Sequence, residues 1–77
     1  MTTDQINSSL IGKKVKGIFT ALPVTGTITS IIKDKYASGV EIELDQPVYW
    51  GGDYYHKYQS TARKMDEFGN LQYTELI

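Results

Sequence analysis

The stretch Val40-Glu41-Ile42-Glu43-Leu44-Asp45 alternates without a fault between apolar and acidic residues. Val40, Ile42 and Leu44 fall on one side, and Glu41, Glu43 and Asp45 on the other. This period of two fits a β-strand with one dry face and one wet face. A helix would spread the three acids around its circumference and leave no apolar stripe. A second run, Thr25-Gly26-Thr27-Ile28-Thr29-Ser30-Ile31-Ile32, has the highest density of β-branched residues in the chain, which again favours a strand. Between them, Lys33-Asp34-Lys35-Tyr36-Ala37-Ser38-Gly39 has the composition of a turn. The segment from Thr25 to Asp45 is therefore read as a hairpin around which the other strands are arranged.

The remaining chain supplies further strands. Gly12 to Thr20 reads as a strand with Val15 and Phe19 on one face, and Gly17 between them marks a bulge or bend. Ala21-Leu22-Pro23 reads as a break, because proline cannot donate to a ladder. The next strand runs from Val24 to Lys33, with Val24, Gly26, Ile28 and Ile32 on one parity and Thr25, Thr27, Thr29 and Ile31 on the other. After Asp45, the glycines and proline of Gln46 to Asp53 indicate a loop. Tyr54 to Tyr58 resumes as strand and continues after a bend through Ser60 to Met65. Asp66 to Asn70 reads as a hairpin turn, and Leu71 to Leu76 as the last strand. Upstream, Thr2 and Gln5 have capping-box spacing, and Ile6 and Leu10 form an i, i+4 apolar pair. Residues 1–11 are thus a tail with a short helical turn, which Gly12 ends.

Five short strands in 77 residues favour a strongly bent antiparallel sheet closed into a small barrel, which removes exposed edges. Residues 12–77 form that one domain. A chain this short buries only about 60% of its unfolded surface. With no cysteine it has neither disulfides nor a cysteine-based zinc site. The first ten residues are polar, without the apolar core of a signal peptide, and no apolar run approaches the ~20 residues that span a bilayer. A soluble cytoplasmic protein with no membrane association is expected.

Gly12-Lys13-Lys14-Val15-Lys16-Gly17 followed by Thr25-Gly26-Thr27-Ile28-Thr29-Ser30-Ile31 resembles the opening of SH3-like small barrels, most closely their KOW and Tudor branches. Gly12, Val15, Gly26 and Ile28 stand where those barrels have a Gly-x-x-Val strand and then a Gly-x-Val strand. The resemblance spans roughly Gly12 to Leu76. It implies an all-β, five-stranded antiparallel SH3-like barrel that serves as a binding module for RNA, DNA, peptides or methylated side chains.

Four groups of residues are candidates for function. The aromatics Tyr36, Tyr49, Trp50, Tyr54, Tyr55 and Tyr58 are the first, four of them within Tyr49 to Tyr55 beside two glycines and an aspartate. Exposed rings attract cations and anchor interfaces; the plainer reading is that some fill a core poor in Leu and Phe. The second group is Lys13, Lys14, Lys16, Lys57, Arg63 and Lys64, which beside aromatics would suit single-stranded nucleic acid. Eight basic residues against nine acidic give a net charge of −1, however, and favour a solvated face balanced by Glu41, Glu43 and Asp45. His56, the sole histidine, has no nucleophile motif or second ligand at a useful spacing, so a strand histidine is expected. Gly51-Gly52 lacks the Lys and Ser/Thr of a phosphate loop and reads as a loop tip.

The sequence thus describes a non-enzymatic interaction module, without cofactor or metal, monomeric or weakly homo-oligomeric. It is expected to bind a protein or peptide through the Tyr49 to Tyr58 region, with Tyr36 as a further candidate. The alternative is a barrel that binds single-stranded nucleic acid through Lys13, Lys14, Lys16, Arg63 and Lys64.

Overall fold

The computed structural model describes residue 1, residues 5–63 and residues 74–77. The chain is all-β apart from short turns: β1 (Lys14–Phe19), β2 (Leu22–Lys33), β3 (Ala37–Trp50), β4 (Asp53–Arg63) and β5 (Glu75–Leu76). They form one antiparallel sheet in the order β4-β3-β2-β1-β5. Among the described residues no ladder joins β4 to β5, so the sheet is open. The expected turn at Asp66 to Asn70, the capping residue Thr2, Met65, and Leu71 to Tyr73 of the last expected strand lie outside the described residues. Among those described, no helix is long and apolar enough to cross a membrane.

The central alternation holds. Val40, Ile42 and Leu44 are buried while Glu43 and Asp45 are exposed and Glu41 is half-buried. Ile6, Leu10, Val15, Ile28, Val40, Ile42 and Ala62 form the core. Ile6 and Leu10 of the N-terminal segment thus lie in this core. Among the described residues this segment holds a 3-10 turn, Ser8–Leu10, capped by Asn7, whose Oδ1 accepts from the Ser9 N–H at 2.9 Å. Gly12, at φ +91, then turns the chain into β1.

In β2 the expected parity fails at one point. Ile28 pairs with Ile42 but Ser30 pairs with Glu41, so Thr29 is an extra residue. This bulge exchanges the faces of the residues that follow. Ile31, not Ile32, therefore lies opposite Val40 and packs on the core. No bulge occurs at Gly17, which pairs with Val24 in an unbroken β1–β2 register.

The break expected at Ala21-Leu22-Pro23 is instead a two-residue turn, Thr20-Ala21, between the paired Phe19 and Leu22. Pro23 sits inside β2, opposite Ile18. Alternation makes that the pair exchanging no hydrogen bonds, so the proline nitrogen points away from β1. It points to where β2 and β3 have parted, since their ladder begins only at Gly26 and Leu44. No ladder bond is lost there.

The turn between β2 and β3 is also shorter than expected. Lys33 pairs with Ser38, and the Asp34 N–H donates to the Ala37 carbonyl at 2.9 Å. Asp34 Oδ1 accepts from the Tyr36 N–H at 3.3 Å, so the aspartate side chain supports the turn.

The sheet is rolled. Phe19 of β1 stacks on Tyr58 of β4 with ring centroids 4.9 Å apart. In a flat sheet, strands three places apart are separated by about 14 Å. The Ser60 and Thr74 hydroxyls also meet at 2.8 Å, tying β4 to the residue before β5.

Candidate functional site

Gln46 to Asp53, expected as a loop, is mostly strand. Val48 pairs with Tyr55, Tyr49 with Tyr54 and Trp50 with Asp53, leaving Gly51-Gly52 as a two-residue turn. Their φ angles, +62 and +91, are left-handed. Two such angles suit the twist of a tight hairpin and favour glycine at both positions. The tip is therefore a defined turn, not a slack loop.

This ribbon is offset from the body by an irregularity in the β3–β4 ladder. Glu43 pairs with Lys57 and Val48 with Tyr55, so the four residues Leu44 to Pro47 face His56 alone. The extra length re-aims the ribbon. The bend expected near Gln59 is absent, since β4 runs unbroken from Lys57 to Arg63 opposite β3. Two contacts hold the ribbon down. Tyr55 meets Phe19 edge-on with centroids 5.5 Å apart. Below it, Asp45 accepts hydrogen bonds from the Lys14 ammonium and, at 2.8 Å, from the Thr25 hydroxyl. These two bonds, Lys14 first, hold the Asp45 carboxyl below its ordinary range. A cleft lined by Pro23, Val24, Thr25, Asp45, Pro47 and Val48 opens where β2 and β3 part.

The six candidate aromatics divide into three groups. Tyr49, Trp50 and Tyr54 stand at the ribbon tip with 62%, 56% and 67% of their surface exposed. Tyr49 and Tyr54 share a face as a cross-strand pair, rings 5.0 Å apart and tilted 58°. Strand alternation puts Trp50 and Asp53 on the other face. Tyr55 and Tyr58 are half-buried supports against Phe19. The Tyr58 hydroxyl is buried, has no hydrogen-bond partner among the described residues, and burial raises its pKa. Tyr36 is exposed at the far end of β3, and its ring carries the ammonium of Lys35 at 5.5 Å from the centroid.

Among the described residues, three of the candidate cations are each paired with a carboxylate. Lys14 pairs with Asp45, Lys16 with Glu75 at 3.6 Å, and Lys57 with Glu41 at 3.7 Å. Lys57 on β4 is separated from the lysines of β1 by the acids of β3 and by β2. Lys13 is exposed. Lys64 lies outside the described residues, and Arg63 is described only by its backbone position at the end of β4. His56 is exposed opposite the irregular stretch of β3. Among the described residues no three His, Cys, Asp or Glu side chains are grouped to hold a metal.

Three residues that shape this region gave little signal as candidates: Asp53 opposite Trp50, Phe19 beneath Tyr55, and Asp45 beneath the ribbon. Only Asp53 was within reach, by reading Gly51-Gly52 as a tight hairpin turn, which fixes the residues on either side as a pair.

Neither the curated proteins nor the solved structures contain a match to the chain. A family model described as a domain of unknown function, DUF7258, matches residues 1–76, and the chain belongs to that family.

Proposed function

We propose that the protein is a non-enzymatic interaction module that binds a protein or peptide through the tip of the β3–β4 ribbon. The observation that carries this reading is the exposure of Tyr49, Trp50 and Tyr54 together on a glycine-fixed turn. Large amphipathic rings lose little conformational freedom on binding and recur as interface anchors. Held by a tight turn, they are oriented before a partner arrives. The rolled sheet, with Phe19 against Tyr58 and Ser60 against Thr74, agrees with an SH3-like barrel as the scaffold. The nucleic-acid alternative is the weaker reading, because Lys14, Lys16 and Lys57 each already face a carboxylate.

Site-specific photo-crosslinking tests the proposal. A benzophenone amino acid at position 54 is expected to trap a partner in native, nuclease-treated lysate. The same group at position 36 traps none. Equal trapping at both positions, or trapping at 54 that disappears with nuclease, would overturn it.

A further inference from the structure

The ribbon tip offers two different surfaces. On one face Tyr49 and Tyr54 lean on each other. On the other, Trp50 stands directly across the ladder from Asp53, with the paired Val48 and Tyr55 next along the same face. A cross-strand pair holds its β carbons about 5 Å apart, so the indole and the carboxylate spring from neighbouring positions on one face of an exposed turn. Both are exposed, and no ion pair to Asp53 is recorded among the described residues. The bases nearest along β4 are His56 and Lys57, and Lys57 faces Glu41. At the opposite end of the molecule, Tyr36 already carries a cation from its own chain, Lys35. The tip aromatics have none recorded among the described residues.

We propose, building on the partner-binding reading above, that the Trp50–Asp53 face receives an unmodified arginine side chain from an extended segment of the partner. The argument is one of charge complementarity and shape. A guanidinium is planar and weakly hydrated, so it lies flat on an indole while its edge N–H groups donate to a carboxylate. Lysine offers a compact, strongly hydrated charge and satisfies only half of this arrangement. The carboxylate also rejects acidic segments and nucleic-acid phosphates, which gives the aromatic tip a sign preference that the rings alone lack. Val48 and Tyr55, next on that face, receive the arginine's aliphatic stem.

Trp50 is the sole tryptophan, so indole emission reports on this site alone. The probe is a short acetylated and amidated peptide carrying two arginines separated by serine, compared with its citrulline counterpart, which keeps the shape and loses the charge. The arginine peptide is expected to change the emission saturably, and the citrulline peptide to bind about tenfold more weakly. Asp53→Asn should weaken arginine binding about tenfold and Asp53→Glu should restore most of it, with circular dichroism confirming that both variants are folded. Asp34→Asn, at the far turn, should change nothing. Absence of any response, equal binding of both peptides, or indifference to Asp53→Asn would overturn the assignment. Trapping at position 54 that survives Asp53→Asn would leave the partner-binding reading standing and remove the arginine alone.

Discussion

At the residue scale, Gly26 shows how closely β2 and β3 approach where their ladder begins. A β carbon there would come within 2.4 Å of the Glu43 carbonyl oxygen and 2.6 Å of Ile42 Cγ2. The nearer obstacle is backbone and cannot rotate away. Gly26→Ala should therefore cost about 1–3 kcal/mol, as overpacking does, and chemical denaturation will measure it. Asp45 is the other informative residue. Its carboxyl pKa is lowered in the folded state from its ordinary 3.8, principally by the hydrogen bond from Lys14. A depressed carboxyl adds stability above its unfolded pKa and loses that stability as pH falls through the folded value. Stability of the wild type should thus decline with acid from just above pH 3.8 downward. Asp45→Asn should remove this contribution, giving a shallower acid limb in a pH series of denaturation curves.

At the scale of elements, the two tight turns solve one geometric problem with different residues. Gly51-Gly52 adopts left-handed angles at no steric cost. Thr20-Ala21 adopts φ of 53 and 64 with side chains in place, one of them β-branched. The Thr20 hydroxyl donates to the Phe19 carbonyl at 2.7 Å, a local bond within the turn. Replacing the pair with Asn-Gly should raise stability by about 1 kcal/mol or more. A rise in thermal midpoint of several degrees is the readout. The strands themselves were legible wherever period two persisted, as at Val40 to Leu44. They were not legible where a bulge changed the parity, as at Thr29. Nor could composition reveal the β3 extension, because Pro47, Gly51 and Gly52 are loop residues by type. Pro47 is accommodated in an irregular stretch with no regular cross-strand partner, so its missing N–H breaks no ladder.

At the scale of the whole molecule, the all-β class was readable from sequence, and the cluster from Tyr49 to Tyr55 stood out because large aromatics beside glycines are unusual for a solvent loop. The division among those aromatics was not. Tyr58 and Tyr55 turn toward Phe19 only because the sheet rolls β1 toward β4, a long-range consequence that no local pattern carries. Tyr36 and Tyr49 are separated by nearly the whole length of β3, Tyr36 just before the strand and Tyr49 near its end. The pairing of Lys14, Lys16 and Lys57 with carboxylates likewise depends on strand order, which brings acids of other strands within reach of them. What emerges among the described residues is a rolled sheet whose β3–β4 turn carries three exposed aromatics, Tyr49, Trp50 and Tyr54.

The central claim is that this turn is a surface for a partner and not part of the core. It is tested most directly by capturing crosslinked partners from nuclease-treated lysate with the wild type and with Trp50→Ala. The thermal midpoint of both proteins is recorded beside the capture. Because Trp50 is 56% exposed, the account predicts a stability change within about 0.5 kcal/mol, as for other surface substitutions, together with loss of the captured partner. A variant that unfolds, or one that stays folded and captures as the wild type does, would contradict it.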